Sequence, residues 1–255
     1  MAGWGGVMSN SLEKEQKEMT TQLFADEQLE DTDNITDWCL SEFQTHYGDT
    51  NITKDDIWEY LYGVMHAPDW RDKFGEHLQK NLPRIPFAPD FEAFRAAGRE
   101  LMDLHIGYET CPEHPDVKCE IDGISDDGDQ SDSDVYLIEK LKWQKNPETG
   151  ETDYSRLEIN PRCVLKNIPS EARDYTISGR SPLDWAIDTL TFGKRAKATG
   201  ESDNPNLWRQ WADDPFEIVR HLCRLVWIST ETSRIISQLP PSLPCIRTAE
   251  RQHDG

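Results

Sequence analysis

The sequence predicts an α+β fold, an N-terminal helical layer followed by a small, mostly antiparallel sheet with C-terminal helices packed on it. Three observations carry that expectation. Apolar residues recur at three- and four-residue spacing up to about residue 107, alternating runs flank a tight turn between residues 135 and 178, and helical spacing returns after Ser181.

Residues 1–32 are polar and acidic with no apolar period, as expected of a mobile arm. A helical subdomain follows over 33–110. Ile35, Trp38, Cys39 and Phe43 recur at helical spacing. Thr53-Lys54-Asp55-Asp56 then resembles a capping box with Asp in place of Glu, opening a helix with Ile57, Leu61, Val64 and Met65 on one side and an end near His66. Pro68 suits the first turn of another helix, reaching about Lys80 through the stripe Trp70, Phe74 and Leu78. Pro83, Pro86 and Pro89 enforce an extended crossing. Asp90 is a suitable N-cap for a helix from Phe91 to about His105, with Phe94, Ala97, Leu101 and Leu104 inward and Gly107 at its end.

Residues 111–134 read as an acidic, disordered loop. Ser125 to Asp134 lacks the alternating ligands and terminal Glu of an EF-hand. A sheet-plus-helix subdomain spans 135–240. Val135 to Trp143 alternates, Asn146-Pro147-Glu148-Thr149-Gly150 is a turn, and Tyr154, Leu157 and Ile159 continue the outgoing strand of a hairpin. Arg162 to Ile168 and Asp174 to Ser178 read as further strands. Ser181 caps a helix with Pro182 at its first position, and a last helix runs from Pro215 to about Leu239 along Phe216, Val219, Leu222, Cys223, Val226 and Ile236. Pro240, Pro241 and Pro244 end regular structure, leaving a polar tail over 241–255.

Hydrophobic residues make up 36% of the chain, enough for a real core, but no run approaches the roughly 18 apolar residues of a membrane span. Met1 to Ser11 lacks the pattern of a signal peptide, and six singly spaced cysteines suit reduced thiols, so a cytoplasmic location is expected. Cys111, His114 and Cys119 match no zinc spacing. The formal charge of −21 opposes a protein that grips DNA by bulk electrostatics. The charge is uneven, however: Lys140 to Lys197 is comparatively basic.

The chemistry of a motor, a methyltransferase or a nuclease is missing. No G-x-x-x-x-G-K-[ST] loop occurs, and Leu239-Pro240-Pro241-Ser242 is not the Asn- or Asp-Pro-Pro-aromatic motif that holds a flipped base. Ile138-Glu139-Lys140-Leu141 lacks the spacer of Glu-x-Lys, so Glu139 and Lys140 read as outward charges. His66, His77, His105 and His221 sit in helical patterns without a nucleophile beside them, and Glu100, Asp103 and His105 share no single tight face. No cofactor and no metal are expected.

The run ITKDDIWEYLYGVMHAPDWR from Ile52 to Arg71 resembles the helical segment after the methyltransferase core of type ISP restriction-modification enzymes. The likeness continues through LPRIP at Leu82, DFEAF at Asp90 and AGRELMDLH at Ala97, in the same order and spacing. Tyr175 to Trp185 with Asp188, and Gly200 through Asn204-Pro205-Asn206, resemble that family's C-terminal specificity domain. The resemblance covers about residues 34–240. It implies a target-recognition domain, non-catalytic by itself, whose partners are duplex DNA and the methyltransferase and translocase modules of the same or a partner chain. The chain is then either a piece of a longer gene product or a free-standing module supplying specificity in trans.

Sequence readers of DNA use Arg and Lys for guanine and Asn or Gln for adenine, while contacts to the backbone set the register. The candidates are Lys142, Lys145, Arg156, Arg180, Lys194, Arg195 and Lys197. The rival expectation is an interaction protein, an acidic DNA mimic that blocks a restriction enzyme, which the net charge favours.

Overall fold

Capping residues decide where the helices of this chain begin. The computed structural model describes residues 33–76, 83–122, 124–126, 133–190, 204–208 and 213–243. Helix α1 (Asp37–Tyr47) opens on the Thr36 hydroxyl, which accepts from the Cys39 amide, and ends at Gly48 with φ 66°. Helix α2 (Lys54–His66) has the expected capping box, with Asp56 answering Thr53. Helix α3 (Pro68–Phe74) starts on Pro68, and the rest of the helix expected to Lys80 falls partly on residues outside the described ones. Helix α4 (Phe91–Ile106) is capped by Asp90, and Gly107 follows its last turn. Helices α5 (Pro182–Thr189) and α6 (Phe216–Ser237) follow among the described residues.

The helical layer buries Ile57, Tyr60, Val64, Trp70 and Phe94 in one cluster. At its centre α2 and α4 meet backbone to backbone. A Cβ on Gly98 would lie 1.8 Å from the Glu59 carbonyl oxygen, and one on Gly63 would lie 2.2 Å from that of Phe94. Glycine is therefore required at both positions by the approach of the helices. Buried Glu59 is compensated from α4, where Arg95 and Arg99 donate to its carboxylate at 3.1 and 3.0 Å. The proline crossing is held by rings that pair its backbone: Trp70 Nε1 donates to Arg84 O, Tyr60 Oη to Pro86 O and Tyr47 Oη to Ala88 O, while the Ala88 amide donates to Tyr60 Oη.

Among the described residues the strands are β1 (Lys118–Ile121), β2 (Ile124–Asp126), β3 (Lys142–Lys145), β4 (Thr152–Asn160) and β5 (Cys163–Lys166). Their order is β2-β1-β5-β4-β3, every pair antiparallel. Leu157, Ile159, Cys163, Leu165, Cys119 and Ile121 face a second core, closed by Leu183 of α5 and by Ile218, Leu222 and Val226 of α6. Helix α6 joins the two halves. Beyond Val226 it turns to the helical layer, where Thr232 Oγ1 lies 2.8 Å from Nε2 of His105 and Arg234 pairs with Glu100. Nδ1 of His105 lies 2.8 Å from Tyr62 Oη, and burial pushes this imidazole down to about 4.

Three expectations fail here for physical reasons. The acidic loop expected over 111–134 contributes β1 and β2, because Val117, Cys119 and Ile121 alternate inward and β5 supplies the ladder that the local sequence cannot. The strand expected from Val135 to Trp143 is a 3-10 turn (Ser133–Tyr136) and an irregular run, with strand only from Lys142. Side-chain amides replace the ladder there: Asn160 Nδ2 donates to the carbonyls of Val135 and Leu137, and Asn206 both accepts from and donates to the backbone of Ile138. The strand expected at Asp174 to Ser178 is instead a tight turn after a 3-10 helix (Ser170–Arg173), bridged between Ile177 and Arg180. Among the described residues no helix is long and apolar enough to cross a membrane.

Candidate nucleic-acid interface

The sheet covers its core on one face only, so the other carries what a strand's alternation turns outward. Glu120 pairs in register with Val164, and Val164 with Glu158, which in turn pairs with Lys142. Lys118 is in register with Lys166. Arg156 joins them, with Nη2 donating to Glu120 Oε1 at 2.8 Å. This face thus holds the cations Lys118, Lys142, Arg156 and Lys166 against the carboxylates Glu120, Glu158 and Asp153, the last in register with Gln144, a small cationic excess in a chain of net charge −21.

Four strands contribute one side chain each to a linked row. Gln144 on β3 accepts from Nε of Arg156 on β4 at 2.8 Å, Arg156 donates onward to Glu120 on β1, and Lys166 on β5 donates to the second oxygen of Glu120 at 3.2 Å. Hydrogen bonds from Arg156 and then Lys166 hold the Glu120 carboxyl below the usual carboxylate range. With strands about 4.8 Å apart the row extends about 14 Å across the sheet.

The edge of this face is the β3–β4 hairpin. Its turn closes on Asn146, whose side chain accepts from the amides of Glu148 and Thr149, and on Gly150 at φ 73°. Trp143 ties the hairpin to the start of α5 through Nε1 to Asp184 Oδ1 at 3.0 Å, and Tyr154 packs edge-on against Trp143 under the Arg173 guanidinium, 3.4 Å from its ring centre.

The hairpin gathers three of the expected site residues. Lys142 pairs with Glu158 at 2.9 Å, Lys145 is exposed at the end of β3, and Arg156 is held as described. Arg180 stands apart, closing a two-residue turn with positive φ at Ser178 and Gly179, the geometry of type I′. It pairs with Asp188 and lies 5.2 Å over the Trp185 ring. Lys194, Arg195 and Lys197 lie outside the described residues. Sequence reasoning missed Lys118, Glu120, Gln144 and Lys166. The alternation of Val117, Cys119 and Ile121 with Lys118 and Glu120 was the signal for the first two.

Behind the Ile177–Arg180 turn, between α5 and α6, opens an apolar hollow of about 860 Å³ lined by Ile177, Trp185, Leu190, Trp208 and Leu225. Among the described residues no cluster of three or more His, Cys, Asp or Glu side chains is arranged to hold a metal ion.

The sequence model of the Type ISP C-terminal specificity domain matches residues 9–221. This chain belongs to that family. Three solved structures resemble the specificity domain. A nuclease-deletion mutant of the Type ISP restriction-modification enzyme LlaGI, in complex with a DNA substrate mimic, is 32% identical at a TM-score of 0.60, over 74% of this chain and 14% of that one. The DrdV–DNA complex is 30% identical at 0.66, over 83% and 20%. The ATP-dependent Type ISP restriction-modification enzyme LlaBIII bound to DNA is 26% identical at 0.65, over 81% and 12%. This chain therefore covers a fifth or less of the length of those chains. A search of curated proteins finds no match.

Proposed function

We propose that this chain reads the sequence of duplex DNA as a target-recognition module, without catalysing a reaction on its own, and that the β3–β4 hairpin is the element that enters the groove. The observation that carries the reading is the cationic sheet face in an acidic member of a specificity-domain family. A two-stranded ribbon fits a major groove about 12 Å wide, and Lys142, Lys145 and Arg156 all ride on this ribbon. Arg180 and the group Lys194, Arg195 and Lys197 serve as further contacts to phosphate or base edges. The helical layer, residues 33–110, presents the reader to methyltransferase and translocase modules of the same or a partner chain, in the cytoplasm.

Fluorescence anisotropy of the full chain with a random-sequence duplex tests this. Binding is expected at low salt and should weaken steeply as salt rises, because phosphate contacts release counterions. Combined Lys142→Ala, Lys145→Ala and Arg156→Ala changes should abolish it, and Lys194→Ala, Arg195→Ala and Lys197→Ala together should weaken it. Full binding by the first variant would move the interface elsewhere. A wild-type chain that binds no duplex but captures a DNA-binding enzyme would replace the reading with that of an acidic mimic, consistent with the charge of −21.

A further inference from the structure

We propose that Arg156 is a specificity-determining residue that selects a guanine, and that Glu120 and Gln144 are positioning residues that aim it; this rests on the DNA-reading function proposed above. A guanidinium has five N–H donors in a rigid plane. In Arg156 one edge of that plane is fixed from both sides, Nε by Gln144 of β3 and Nη2 by Glu120 of β1. The opposite fork, made of Nη1 and the second hydrogen of Nη2, has no partner among the described residues. That fork matches the O6 and N7 acceptors that guanine shows in the major groove, the commonest specific contact an arginine makes.

The surroundings separate this role from simple phosphate binding. A phosphate contact needs only a charge on a flexible stem, as Lys145 provides at the end of β3. Arg156 is instead restrained in one plane by acceptors on two other strands, with its side chain 31% exposed and that of Glu120 18% exposed. A carboxylate beside a DNA-facing cation weakens attraction to phosphate, so its presence costs general affinity. Its return is orientation: a planar donor already held at one edge loses less freedom when its other edge meets a base. Lys166, on the second oxygen of Glu120, keeps the carboxylate in place.

The test is enrichment of a random duplex pool by the full chain, wild type against Arg156→Lys, Glu120→Ala and Glu120→Gln, with thermal midpoints measured alongside. The wild type should enrich a motif with one invariant G·C pair that responds to position 156. Arg156→Lys keeps the positive charge but not the fork, so it should lower the preference for that pair about tenfold and leave the other positions unchanged. Glu120→Ala should bind non-specific duplex more tightly, through loss of a negative charge, while the same G·C preference falls several-fold. Glu120→Gln keeps an acceptor and should recover part of that preference. An identical motif from Arg156→Lys would overturn the assignment of Arg156 while leaving DNA reading intact. Glu120→Ala with an unaltered preference would overturn the positioning role of Glu120. A wild-type chain that binds and enriches no duplex would remove the DNA-reading function, and this inference with it.

Discussion

In the helical layer, α2 and α4 approach until Gly63 and Gly98 admit no side chain, whereas the sheet keeps its packing on one face and leaves the other to Lys118, Glu120, Arg156 and Lys166. The layer is built from fixed steric contacts and from rings that each satisfy a backbone group, such as Trp70 on Arg84 and Tyr60 on Pro86. The outer sheet face is built from side-chain hydrogen bonds and ion pairs in partial contact with water. The difference teaches where change is tolerated: a substitution in the first region meets backbone, and one in the second meets polar side chains that water can partly replace.

The comparison breaks most sharply at the helix crossing. Gly98→Ala should cost more than about 3 kcal/mol in urea unfolding, since its Cβ would press into the Glu59 carbonyl and the helices must separate. A loss near zero would show that α2 and α4 have room to spare. Within the sheet half, Asn160 is the exception to tolerance, because its buried amide serves the carbonyls of Val135 and Leu137 and its oxygen the amides of Arg162 and Cys163. Asn160→Leu should cost about 2 kcal/mol by leaving those groups unpaired.

The junction of the halves should respond to acid. His105 has its pKa lowered from 6.5 to about 4 by burial first, then by the nearby charges of His66 and Arg71. The unfolded chain therefore takes up a proton that the folded chain refuses. Stability from this group is complete above about pH 6.5, declines as pH falls towards about 4, and changes little below that. His105→Phe should shallow the decline measured by thermal midpoint across that window, leaving the part due to His66 and His221, whose pKa values burial also lowers. It should also cost about 1 kcal/mol at neutral pH, since buried Thr232 loses its partner. The smallest effects belong to the outer face. Lys142→Ala and Lys145→Ala should each change stability by less than about 0.5 kcal/mol, and a larger loss would mean that the hairpin edge is structural.

Local chemistry was legible wherever one short segment completes it. The capping box at Thr53, the Ser181 cap with its Pro182 start, the Asn146–Gly150 turn and the Asp90 cap all stand where the sequence places them, since donor and acceptor lie within a few residues. The resemblance to a specificity domain was legible for the same reason, through contiguous runs such as Ile52 to Arg71. Of the candidate site, Lys142, Lys145 and Arg156 could be placed together on one hairpin before the structure, but not their partners.

Tertiary structure alone decided the rest. It paired β1 with β5, Cys119 opposite Leu165, and so brought Glu120 to Arg156, 36 residues away. It replaced a strand at Val135 with side-chain amides from Asn160 and Asn206. It joined His105 to Thr232 over 127 residues, and it set Gly63 against Gly98. Alternation and capping are written in neighbouring residues and act before any distant contact exists. A half-buried polar row or a helix crossing has no local signature, because its energy appears only when separate strands and helices have closed on one another.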